Sequence, residues 1–191
     1  MQAVVTEINV DDLYDPDYIS DTYVRELDRM TSGIYESDKR GRSKEEIVLT
    51  TLRGLASEVA FTRKFPQFCR HNQPPFAFDV ANLTGTKGTR IEIKCPKKDK
   101  DWWVPVHYDH FYTNAHKKNV DYICNTYLDN KNRFYIKAIA NAYSFERYVK
   151  QGPYNEYYNH HAAIKDGECW IGSNAVNKIK EIIQEFAWND F

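Results

Sequence analysis

The sequence predicts a mixed α/β domain on three observations: a capped helix with one apolar stripe from Ser43, two strand-like runs about a glycine-rich turn at residues 84–88, and an amphipathic helix near the C-terminus. The 191 residues suffice for one domain with a continuous apolar core. A charged fraction of 28% is ordinary for a folded protein, and the high aromatic fraction, 15%, argues against disorder as the main state.

Ser43-Lys44-Glu45-Glu46 matches a capping box, with Glu three residues after the Ser cap, so a helix is expected to start there. Val48, Leu52, Leu55, Ala56 and Val59 recur at helical spacing up to an end near Lys64, with Glu58 at the edge of the stripe. From Phe76 the period changes. Phe76–Ala81 and Thr89–Lys94 alternate or run apolar around the turn at Thr84–Gly88, which signals a hairpin. An aromatic loop with Trp102 and Trp103, a helix around His110–Lys118, and strands at Tyr122–Leu128 and Phe134–Ala140 are expected next. Ser144–Tyr148 reads as a short helix, and Val176, Ile179, Ile182, Ile183 and Phe186 mark the closing one. Residues 1–42 read as a peripheral N-terminal arm with a helix at Ser20–Met30, residues 43–142 as the core, and residues 143–191 as a C-terminal addition.

The formal net charge is −1, so no whole-protein field points to a polyanion, and any such partner must meet a local basic face. The first thirty residues are acidic, whereas Lys87, Arg90, Lys94, Lys97, Lys98 and Lys100 form a positive stretch. The N-terminus lacks a basic region followed by an apolar run, and no apolar run has bilayer length, so a cytoplasmic protein without a membrane partner is expected. Cys69, Cys95, Cys124 and Cys169 are widely separated and form no CxxC pair, which fits reduced, mostly buried thiols.

Side chains two apart on a strand share a face, so Glu92 and Lys94 are expected to point together while Ile91, Ile93 and Cys95 point into the core. Asp79 has the small residues Ala77 and Ala81 as same-face neighbours. If its strand pairs with that of Glu92, two carboxylates come close and a cation must offset their repulsion. Mg²⁺ suits an oxygen-only site, with Mn²⁺ as its substitute. Phosphodiester hydrolysis needs a positioned water, charge neutralisation and help for the leaving oxygen, much of which a divalent ion supplies. Lys94 has three open roles: orienting the attacking water, deprotonating it, or contacting the phosphate.

The pattern Phe76-x-Phe78-Asp79, twelve residues, then Glu92-Ile93-Lys94 resembles the signature of the PD-(D/E)xK, or restriction-endonuclease-like, nuclease superfamily. The proline of the motif's name is not directly before Asp79; Pro74 and Pro75 lie upstream. The resemblance spans about residues 43–142 and implies a mixed central sheet flanked by helices, Mg²⁺ dependence and DNA as the usual substrate. It implies Asp79, Glu92 and Lys94 as catalytic residues and Asp79, Glu92, Ile93 and Glu58 as metal ligands, Glu58 coming from the helix ahead of the hairpin. Glu58 is otherwise a solvated helix residue. Lys87, Arg90, Lys97, Lys98 and Lys100 are candidates for DNA phosphates, and Trp102 and Trp103 either stack on bases or serve as lid or core.

Gly33-Ile34-Tyr35 matches half of the GIY-YIG nuclease signature, but no Tyr-Ile-Gly follows. His160, His161, Cys69, His71 and Cys169 lack zinc-finger spacing. His107 and His110 at helical spacing read as ordinary surface or core residues. Two function classes therefore stand: an endonuclease of phage or mobile-element, restriction or repair type, acting as a homodimer if it makes double-strand breaks, and a non-catalytic DNA-binding or assembly protein on the same fold.

Overall fold

A computed structural model of the chain describes residues 3–7, 43–70, 80–82, 88–96, 105–106, 121–131, 133–142, 145–151, 156–158 and 160–187. Within them the domain is mixed α/β. Helix α1 (Lys44–Lys64) starts at the capping box: the Glu46 N–H donates to Ser43 Oγ at 3.2 Å, and the Ser43 N–H donates to Glu46 Oε2 at 3.3 Å. Two of the otherwise orphaned N-terminal donors are thereby satisfied. Arg63 and Lys64 occupy the last turn, where the helix dipole favours cations.

The strands that follow are β2 (Phe68–Arg70), β3 (Val80–Asn82), β4 (Arg90–Lys94), β5 (Pro105–Val106), β6 (Tyr122–Leu128) and β7 (Arg133–Asn141). After β7 come a 3₁₀ turn (Phe145–Tyr148), β8 (Val149–Gln151), β9 (Glu156–Tyr158), helix α2 (His160–Lys165), β10 (Cys169–Ile171) and helix α3 (Ser173–Ala187). The main sheet has the order β1-β7-β6-β4-β3-β2, β1 being Ala3–Glu7, and β10 also pairs with β7. The β4–β6 pair is parallel and the others are antiparallel, so the sheet is mixed. Strands β5, β9 and β8 form a small antiparallel sheet of their own.

Strand β7 is central because β6 pairs along one of its edges while β1 and β10 share the other. Ala3–Glu7 run beside Arg133–Ile136, and Cys169–Ile171 beside Ala138–Ala140. Lys137 falls at the junction, where its carbonyl accepts the Gly172 N–H at 2.9 Å. Gly172 turns the chain from β10 into α3 with φ +53°, a left-handed conformation that favours glycine.

Two apolar clusters cover the two faces of the sheet. On one, Ala60, Phe61 and Phe65 of the α1 region and Ala175, Ile179 and Ile182 of α3 pack against Ile91, Ile93, Cys124, Phe134, Ile136 and Ile139. Phe61 anchors this side, with ring centroids 5.1 Å from Phe65 and 5.4 Å from Phe68. On the other, Tyr148 and Ala163 pack against Ile123, Ala138, Ala140 and Cys169. Each fully buried large side chain contributes about 1.5–3 kcal/mol.

The described ends of the chain join the main sheet and its core. Ala3–Glu7 form a strand of the main sheet, and the C-terminal part supplies β10 and the α3 half of one core layer. Local pattern hides this, because both strands are short and their partner is distant in sequence. Ser20–Met30, His110–Lys118, Trp102, Trp103, His71, His107, His110 and Gly33-Ile34-Tyr35 lie outside the described residues.

Candidate functional site

Ile91 and Ile93 belong to the cluster under α1 and α3, so alternation along β4 turns Glu92 and Lys94 to the opposite face. There the Lys94 ammonium donates to Glu92 Oε1. Glu92 is only 1% exposed and Lys94 is 31% exposed. A carboxylate taken out of water requires a compensating charge or donors, and the lysine two residues along its strand supplies one. Strand β4 lies between β3 and β6, which sets this pair in the interior of the sheet.

Strand β6 extends the polar patch. Its Cα register places Glu92 beside Ile123 and Lys94 beside Asn125. Cys124 and Leu128 point into the α1 side, so Ile123, Asn125 and Tyr127 share the face of Glu92 and Lys94. Thr126, fully buried on the other face, donates its hydroxyl to the Lys94 carbonyl at 3.0 Å and fixes the end of β4. Asn125 is 2% exposed, and neither Nδ2 nor Oδ1 has a hydrogen-bond partner among the described residues. The β6–β7 register breaks beside it: Asn125 faces Ala138 and Thr126 faces Ile136, so Lys137 is the extra residue of a bulge. Lys137 is 1% exposed, and its Nζ lies 6.0 Å from the Tyr127 ring centroid.

Arg90 stands at the start of β4, where Asp121 holds it in place. The Arg90 main-chain N–H donates to Asp121 Oδ2 at 2.8 Å, and its guanidinium donates Nε to Oδ2 at 3.3 Å and Nη2 to Oδ1 at 3.4 Å. With the Asp121 N–H donating to the Arg90 carbonyl at 2.9 Å, the pair joins the N-terminal ends of β4 and β6. This gives Arg90 a structural partner beside the DNA contact expected for it.

Glu58 is carried by α1, on the side of the sheet opposite to the Glu92 and Lys94 side chains, and is partly buried. Ile93 turns its side chain into the core and is able to offer a ligand only through its carbonyl. Asp79, Lys87, Lys97, Lys98, Lys100, Trp102 and Trp103 lie outside the described residues, although Val80, the next residue after Asp79, pairs with Ile91, the residue before Glu92. Among the described residues no group of three or more His, Cys, Asp or Glu side chains stands ready for a metal ion.

The cysteines with described side chains are free, and two are inert by position. Burial pushes the Cys124 thiol far above its ordinary range, with nearby Cys169 adding to the effect, and burial alone pushes Cys169 up to about 12. Among the described residues no helix is long and apolar enough to cross a membrane.

Asn125 and Lys137 escape pattern reading because each interrupts a strand that otherwise reads as apolar. The usable signal was the interruption itself: a lone amide in Tyr-Ile-Cys-Asn-Thr-Tyr-Leu and a lone ammonium in Phe-Tyr-Ile-Lys-Ala-Ile-Ala. Compared with known proteins, the chain matches no family model and no curated protein.

Proposed function

We propose that the chain is a divalent-metal-dependent endonuclease with a PD-(D/E)xK-type site, hydrolysing phosphodiester bonds in DNA. The observation that carries this reading is the buried Glu92 bonded to Lys94 on a central strand, one residue beyond the pairing of β3 with β4. Val80 pairs with Ile91 and Ala81 with Arg90, so the described part of β3 lies beside β4 at the strand position just before Glu92. The mixed sheet, with α1 ahead of β2–β4 and the β6–β7 pair after Lys94, is the mixed α/β architecture that this reading requires.

The donor chemistry fits a hard cation. Asp79 and Glu92 offer carboxylate oxygens and Ile93 a carbonyl oxygen, the ligand type that Mg²⁺ prefers and Mn²⁺ accepts. When bound, such an ion neutralises phosphate charge and lowers the pKa of its water. The protein's own part is positional. Lys94 holds the buried Glu92 carboxylate and stays about one-third exposed, and its role is to orient the attacking water or meet the phosphate. Lys87, Lys97, Lys98 and Lys100 supply backbone contacts on DNA, and a homodimer serves double-strand cutting.

Incubation of the purified protein with Mg²⁺ or Mn²⁺ and single-stranded, duplex or branched DNA, or RNA, tests this. Cleavage that Asp79→Ala and Lys94→Ala each abolish, with folding intact, is the expected result. Normal cleavage by both variants overturns the site, and tight DNA binding without cleavage in any metal identifies a binding or assembly module instead.

A further inference from the structure

We propose that Asn125 is a substrate-contacting residue of this site, its Nδ2 donating to a phosphate oxygen and its Oδ1 accepting from the attacking water; the assignment rests on the nuclease reading above. Three observations support it. Asn125 is 2% exposed with both amide atoms lacking hydrogen-bond partners among the described residues, an arrangement that folding alone disfavours and that calls for an explanation. It lies directly beside Lys94 across the parallel β4–β6 pair, and its side chain shares the face of Glu92 and Lys94. The bulge at Lys137 breaks the ladder opposite Asn125, a distortion that recurs next to active sites because it re-aims a side chain.

The required ligand follows from the amide's two ends. One end donates and the other accepts, so the group that satisfies both must present an acceptor and a donor within one side chain's reach. A phosphodiester with its in-line water has both, as does a single buried water, and the dinucleotide measurement below separates the two. An apolar ligand has neither, and a bare anion satisfies only Nδ2.

Asn125→Leu tests the assignment because it replaces the amide by an apolar group of similar volume. The expected result is a ligand-free protein with Tm raised by about 2–6 °C, DNA cleavage slowed about 100-fold, and loss of the Tm increase that a 5′-phosphorylated thymidine dinucleotide with Mg²⁺ gives the wild type. An unchanged or lowered Tm overturns the proposal, since the amide is then satisfied within the fold. Cleavage at the wild-type rate by Asn125→Leu overturns it too, and leaves the nuclease reading standing if Lys94→Ala is inactive. Should the wild type cut no nucleic acid, the nuclease reading fails. The dinucleotide then decides the role of Asn125: a Tm increase confined to the wild type supports it, and an equal or absent increase in both proteins overturns it.

Discussion

Replacing Lys94 by Met removes the ammonium that the structure sets against a carboxylate only 1% exposed, while keeping the aliphatic stem. Breaking a fully buried ion pair costs about 3–5 kcal/mol, because the remaining charge is left uncompensated. Lys94 itself is 31% exposed, so solvent screens part of the interaction and the expected loss falls to about 1–3 kcal/mol. For a domain of this size that is a fall in Tm of roughly 3–10 °C. The double variant Glu92→Gln/Lys94→Met removes both charges and is expected to recover most of the loss, a coupling that a double-mutant cycle reads directly. If a divalent cation also binds Glu92, Mg²⁺ raises the Tm of Lys94→Met more than that of the wild type and has little effect on the double variant. Thermal melts of the four proteins with and without Mg²⁺ decide the matter. Additive single effects, or a Lys94→Met protein as stable as the wild type, refute the charge compensation on which the site depends.

The remaining predictions concern the frame that holds the site. Phe61→Ala is expected to cost about 3–5 kcal/mol in chemical denaturation, since Phe61 is fully buried against Phe65 and Phe68; a loss below 1 kcal/mol contradicts its place in the core. Asp129 closes the β6–β7 turn by accepting N–H bonds from Lys131 and Arg133 and a guanidinium bond from Arg133 at 2.7 Å. Burial by itself raises its carboxyl pKa, but the Arg133 and Lys131 bonds outweigh that and bring it from 3.8 down to about 2. A depressed acid contributes stability that is fully present above the unfolded value and is lost as pH falls. Asp129→Ala is thus expected to be less stable than the wild type at pH 6, with the gap narrowing between about pH 4 and pH 2; a constant gap refutes the assignment. Native Cys124 and Cys169 are expected to resist iodoacetamide at pH 8 and to react in urea, as peptide mapping checks. Asp121→Ala is expected to destabilise the protein by about 0.5–2 kcal/mol through the loss of the Arg90 staple, and an unchanged denaturation midpoint contradicts it.

Local signals account for the features that sequence and structure share. The Ser43 capping box, the switch to period two ahead of Lys94, and the spacing of Ile179 and Ile182 are each set by neighbouring residues, and each marks the expected element. Glu92 and Lys94 share a face for the same reason, since strand alternation needs no partner to be known. The stripe on α1 is less faithful: Ala60 and Phe61 bury fully while Val59 remains partly exposed. Long-range pairing was illegible. Nothing in Ala3–Glu7 or Cys169–Ile171 announces that both will share one edge of β7. Asn125 was missed likewise, since its meaning arises only once β6 lies parallel to β4 and sets it beside Lys94.

Anomalous diffraction from crystals soaked in Mn²⁺ tests the proposed metal centre most directly. The expected result is a peak about 2.1 Å from a carboxylate oxygen of both Asp79 and Glu92, within reach of the Ile93 carbonyl and on the same side of the sheet as Lys94. A fully soaked crystal with no peak there, or with Asp79 turned to the α1 side of the sheet, contradicts it.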